Sequence, residues 1–161
     1  MIPDDLLAEA EALLAACRAG GIRLATAESC TGGLIAATLT AIAGASDVVD
    51  RGFVTYSNEA KHEMVGVPMA LIQTDGAISD TVARAMAEGA LARSRATITI
   101  SVTGVAGPGG GTAEKPVGLV WFGLAKKGQP AISEQRLLPG DRTGVRAAAV
   151  RHAFAMIRAQ V

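Results

Sequence analysis

The sequence predicts a three-layer α/β/α domain with a mixed parallel and antiparallel sheet. Two observations lead there. Helix-patterned and strand-patterned segments alternate from the start of the chain, and two or three strands then follow one another towards its end. A third bears on size: 161 residues without an internal repeat or linker are most economically one domain, 1–161, with a substantial core. Half the chain is hydrophobic, but its aromatic residues are only Phe53, Tyr56, Trp121, Phe122 and Phe154, so that core is built from Ala, Val, Leu and Ile.

The first helix is expected over 4–19, where Leu6, Leu7, Ala10, Leu13, Leu14 and Cys17 fall at helical spacing. Acidic residues occupy its first turn, and Gly20 and Gly21 follow its end. An apolar strand over 22–27 leads into a turn at Ser29, and a helix over 31–43 stops at Gly44. Residues 48–56 read as a second strand, 57–65 as a short helix and 68–75 as a further helical turn. Over 79–93, Val82, Ala83, Met86 and Ala90 share one helical face. The strongest strand signal is 96–103, in which Ala96, Ile98, Ile100 and Val102 alternate with Thr97, Thr99, Ser101 and Thr103. A glycine-rich loop, 104–111, precedes a nearly all-apolar strand, 117–125, and another strand is expected over 131–138. The last helix starts after Pro139-Gly140-Asp141 and buries Val145, Ala149, His152 or Ala153, and Met156.

Charge narrows the function. Fifteen basic and fifteen acidic residues cancel, so there is no global field to attract nucleic acid or an acidic membrane. Any bound anion needs a local grip. No apolar run has the length of a membrane span. Asp4, Asp5, Glu9 and Glu11 stand where a signal peptide carries positive charge, so a cytoplasmic location is expected. Cys17 and Cys30 suggest neither a disulfide framework nor a zinc site, and no metal or cofactor is expected.

Four places could carry chemistry. The first is Ala27-Glu28-Ser29-Cys30-Thr31-Gly32-Gly33, a strand-to-helix turn holding a hydroxyl and a thiol. The first-turn N–H groups of the following helix lack intrahelical partners, which suits an anion or a developing oxyanion. Ser29 or Thr31 could equally be a simple helix cap. The second is the 52–61 segment, with Tyr56 at a strand end and Lys61 one turn into a helix. Lys61 could activate a serine only if neutral, at a cost of roughly 4–5 kcal/mol at pH 7 unless burial lowers its pKa. Otherwise it is a solvated surface lysine. The third is the loop 104–116, where glycine N–H groups could converge on a phosphate, although the Walker A ending is absent. The fourth is Arg142, a cation in the first turn of a helix, where the dipole disfavours it. Cys30 has no neighbouring histidine or acid to assist it and reads as a buried thiol packed behind the turn.

Taken in order, Ala-Glu-Ser-Cys-Thr-Gly-Gly at 27–33, Gly-Phe-Val-Thr-Tyr-Ser-Asn-Glu-Ala-Lys at 52–61, Gly-Ala-Ile-Ser at 76–79, Thr-Gly-Val-Ala-Gly-Pro at 103–108 and Glu-Lys-Pro-Val-Gly at 114–118 resemble the CinA C-terminal domain family of competence/damage-inducible proteins. The resemblance implies a standalone form, without the N-terminal domain that larger members carry, and a homo-oligomer. It also implies an amidohydrolase that converts nicotinamide mononucleotide (NMN) to nicotinic acid mononucleotide and ammonia. On that pattern Ser29 is the nucleophile, Lys61 the base and Tyr56 its orienting partner. The N–H groups of Thr31, Gly32 and Gly33 hold the oxyanion, and Thr103, Gly104, Ala106, Gly107 and Arg142 hold the substrate. Two other readings stay open: a catalytically silent nucleotide-binding module of the same family, and a cysteine hydrolase using Cys30.

Overall fold

A computed structural model describes all residues, 1–161. Five strands form one sheet: β1 (Leu24–Glu28), β2 (Val49–Val54), β3 (Ile98–Gly104), β4 (Leu119–Lys126) and β5 (Ile132–Leu137). Their spatial order is β2-β1-β3-β4-β5. β1 runs parallel to both of its neighbours, β2 and β3. β3, β4 and β5 pair antiparallel in succession. The mixed sheet expected from the element order is therefore present, with its parallel half at the N-terminal end of the chain.

Helices cover both faces. α1 (Asp4–Ala19), α2 (Leu34–Thr40) and α6 (Arg142–Arg158) pack on one side. There Leu6, Leu13, Leu39, Ile100, Phe122 and Phe154 belong to the larger core cluster. α3 (Asn58–Val65), α4 (Met69–Asp75) and α5 (Asp80–Ala92) cover the other side around Val65, Ile72, Val82 and Met86. No helix is long and apolar enough to cross a membrane.

Three differences from the expected pattern have physical causes. α2 begins at Leu34 and not at residue 31, because Gly32 and Gly33 adopt φ of 57° and 96° and hold the chain out of the helix. Its end also comes early, at Thr40, and a 3-10 turn at Ala45–Asp47 leads into β2. The Thr/Ser face of β3 is as buried as its apolar face. There Thr99, Ser101 and Thr103 donate to the carbonyls of Ala87, Ala83 and Ala77, so α5 and the turn before it lie directly on these hydroxyls. Close contact also needs Gly123 on β4, where a Cβ would come within 2.1 Å of the Ala83 carbonyl oxygen. On α6 it is Ala153 that is fully buried; His152 is half-buried, its ring 4.5 Å from that of Phe122 and its Nε2 2.9 Å from Glu134.

This topology creates one privileged edge. The parallel strands β1, β2 and β3 end on the same side of the sheet. From β1 the chain leaves through α2 to one neighbour and returns through α3–α5 to the other. Ligands of open α/β sheets bind where such connections diverge.

Candidate active site

Ser29 follows β1 directly. Its N–H donates to the Val102 carbonyl at 2.9 Å, and its carbonyl accepts from Gly32 at the same distance, closing a tight turn. The hydroxyl lies 3.0 Å from Lys61 Nζ, which also donates to the Thr55 carbonyl at 2.8 Å. The two carriers arrive from different layers. Ser57 caps α3 by accepting from Ala60 N–H at 3.0 Å, and Lys61 then points inward, with only 1% of its surface exposed. Burial pulls the lysine down from 10.5 to about 8, and no carboxylate pairs with it. At pH 7 the neutral amine then costs about 1.4 kcal/mol. The burial that a Ser–Lys pair requires is present.

A cleft of about 250 Å³ opens in front of Ser29. Cys30, Tyr56, Ile78, Gly104, Ala106, Gly107 and Arg142 are among the residues lining it. The N–H groups of Ala106, Gly107, Gly109 and Gly110 have no acceptor within the protein. Lys115, in the 114–118 motif, ties the base of this loop to the end of α4 by donating to the Asp75 carbonyl at 3.3 Å. A wider groove, about 670 Å³, lies between α3, α4 and α5; it carries Thr81, Arg84, Glu88 and Arg93.

Several sequence expectations change at this point. Tyr56 makes no hydrogen bond to Lys61 or Ser29. It is 59% exposed, and its hydroxyl accepts from Arg142 Nη2 at 3.0 Å, while Arg142 Nη1 donates to the Gly107 carbonyl at 2.8 Å. The carbonyl of Thr55, one residue earlier, is what orients the lysine. Thr103 is 1% exposed and its hydroxyl is committed to Ala77, so it supports the sheet and does not reach the cleft. Gly32 spends its N–H on Ser29, which leaves the N–H groups of Cys30, Thr31 and Gly33 without protein acceptors. Of these three residues only Cys30 lines the cleft. Its thiol is pushed up to about 11 by burial and stays protonated at neutral pH.

Two residues went unassigned in the sequence. Glu28 is 1% exposed, and its carboxylate accepts from Thr26 Oγ1, Thr31 Oγ1 and the N–H groups of Ile35 and Ala36. It takes the very helix N-terminus that the sequence suggested for a bound anion. A charged residue closing an apolar strand was the available signal, since a buried carboxylate needs donors. Arg146, one turn beyond Arg142, donates from Nη2 to the Thr31 carbonyl at 2.7 Å.

The CinA C-terminal domain model matches residues 7–161. A protein named nicotinamide-nucleotide amidohydrolase PncC from Enterobacter agglomerans is 52% identical over 132 residues, covering 82% of this chain and 80% of its own. A CinA-like protein from Akkermansia muciniphila is 51% identical over 134 residues, 83% of this chain; the chain spans only about a third of that relative's length, 32%. The crystal structure of competence/damage inducible protein CihA from Agrobacterium tumefaciens superposes with a TM-score of 0.94 at 48% identity, covering 99% of this chain and 97% of that one.

Proposed function

This chain belongs to the CinA C-terminal domain family, and we propose that it acts as one unit over 1–161 to hydrolyse the carboxamide of NMN, yielding nicotinic acid mononucleotide and ammonia. The observation that carries this reading is the buried Lys61 amine 3.0 Å from the Ser29 hydroxyl, at the mouth of a cleft with unpaired backbone donors.

The steps follow from the groups in place. Neutral Lys61 removes the Ser29 proton as Oγ bonds to the carboxamide carbon, and the carbonyl π pair moves to oxygen. The N–H of Cys30, the residue after the nucleophile, lacks a backbone acceptor and receives that oxyanion. Protonated Lys61 then passes its proton to the departing nitrogen. The C–N bond breaks and ammonia leaves. Water attacks the resulting Ser29 ester, giving its proton to Lys61, and the ester bond breaks with the proton returning to Ser29. The substrate phosphate is gripped by the N–H groups of Ala106, Gly107, Gly109 and Gly110 with Arg142, and Tyr56 tethers that arginine at the rim. A local site of this kind reconciles anion binding with zero net charge.

Purified protein supplied with NMN is expected to release ammonia and nicotinic acid mononucleotide in equal amounts. Folded protein that is thermally stabilised by NMN yet releases none would refute hydrolysis and leave a binding module.

A further inference from the structure

The nucleophile turn carries a cation that the mechanism above does not use. Arg146 reaches from α6 to the Thr31 carbonyl at 2.7 Å, and its Nη2 packs against Gly32, where a Cβ would lie 3.6 Å away. No carboxylate pairs with it, and its Nε is buried with no hydrogen-bond partner. Arg146 is half-buried, and the Thr31 carbonyl is its one hydrogen-bond partner in the protein.

The covalent path from that charge is short. The carbonyl of Thr31 and the N–H of Gly32 belong to one peptide group, and a trans peptide points them in opposite directions. That N–H donates to the Ser29 carbonyl at 2.9 Å. The Ser29 carbonyl in turn shares a peptide group with the Cys30 N–H, which has no protein acceptor, and Cys30 lines the cleft. Arg146 therefore heads a chain of two hydrogen-bonded peptide groups that ends on the Cys30 N–H, in a residue lining the cleft. Each hydrogen bond in such a chain polarises the next. Thr31 is pinned from its other side as well, by its hydroxyl bond to Glu28 at 2.7 Å, so the relay has a fixed geometry. The same cation acts on the Cys30 thiol, where it opposes the upward push of burial.

We infer that Arg146 is a positioning residue for the oxyanion: acting through the Thr31–Gly32 and Ser29–Cys30 peptide groups, it orients and polarises the Cys30 N–H. It touches neither substrate nor nucleophile. The inference rests on the amidohydrolase reading, because an oxyanion must form for the relay to matter. In contrast to Arg142, which lines the cleft, Arg146 should affect the transition state and leave ground-state binding alone.

The experiment compares NMN turnover by wild type, Arg146→Met, Arg146→Lys and Arg146→Ala, the last with and without added guanidinium chloride at non-denaturing concentration. Removing a direct oxyanion donor costs about 10²–10³ in kcat, and a group acting one step behind it is expected to cost about tenfold or more. Arg146→Met should therefore lose about tenfold or more in kcat with KM within about twofold, the split expected when an interaction is made only in the transition state. Arg146→Lys, which keeps the charge and one donor for Thr31, should recover part of that loss, and guanidinium should restore Arg146→Ala. Arg146→Met with wild-type kcat would overturn the inference. So would a proportional loss of folded protein that accounts for the whole activity deficit, or an Arg146→Lys protein that folds normally yet turns over no faster than Arg146→Met. If wild type itself releases no ammonia, it is the amidohydrolase reading that fails.

Discussion

Replacing Lys61 by methionine is expected to make the protein more stable at pH 7 while abolishing turnover. Burial lowers the lysine from 10.5 to about 8, so folding at pH 7 carries a penalty of about 3 kcal/mol for a cation that water would hold more comfortably. Lys61→Met removes that penalty. It also loses the bonds to Ser29 and Thr55 and orphans a buried carbonyl, at about 1–2 kcal/mol. The balance is a gain of about 1–2 kcal/mol at pH 7.

The pH dependence separates this from a packing effect. Below pH 8 both folded and unfolded chains hold the lysine proton, and the penalty is constant. Between 8 and 10.5 the unfolded chain binds more protons, so wild-type stability rises with pH. The contribution of the lowered value is thus complete above 10.5 and lost as pH falls through about 8. Urea denaturation of both proteins at pH 7 and pH 10 should show the advantage of Lys61→Met shrinking by about 2–3 kcal/mol and changing sign. The same value near 8 should govern turnover, with kcat/KM rising through that pH. A stability difference that stays constant within about 0.5 kcal/mol between the two pH values would refute a buried, proton-labile Lys61.

Three further outcomes follow from the same geometry. Glu28→Ala orphans two amides and two hydroxyls and should cost about 3–5 kcal/mol in urea denaturation, whereas a loss below about 1 kcal/mol would mean that the carboxylate does not hold the turn. Cys30 should resist iodoacetamide in the native protein at pH 8, and Cys30→Ala should keep kcat within about threefold, since a thiol near 11 is almost wholly protonated there; fast alkylation with loss of activity would revive the cysteine nucleophile. Tyr56→Phe releases one bond to Arg142 at the rim and should raise KM about 2–10-fold at nearly unchanged kcat, whereas a collapse of kcat would return Tyr56 to the proton-transfer step.

The layered sheet was legible because α1, α5 and β3 each carry an apolar pattern long enough to fix a period. The span of α1, 4–19, is the one the spacing indicates. The candidate site was legible where it depended on local backbone, as in the turn at Ser29 between a buried strand and two glycines. It was not legible where it depended on packing from another layer. In the eight residues of α3 only Lys61 and Val65 are buried, so nothing in the segment itself distinguishes this lysine from a solvated one. Thr103, which the family pattern assigned to the substrate, instead bonds to Ala77 in the turn before α5, a contact that no strand period encodes. Tyr56 and Arg142 stand 86 residues apart in sequence and meet only because α6 starts beside the end of β2. Glu28 was visible as a residue but not as a cap, because its partners, Ile35 and Ala36, lie past a glycine turn whose path a helical reading of 31–43 conceals.

The central claim is that Ser29 attacks the carboxamide. Its most direct test is the rate of ammonia release from saturating NMN by Ser29→Ala beside wild type, with thermal stabilisation by NMN recorded for both. The variant is expected to fold, to bind NMN as wild type does and to lose at least about 10³ in kcat, the scale on which removal of a serine nucleophile acts. Turnover by Ser29→Ala within about tenfold of wild type would contradict that claim.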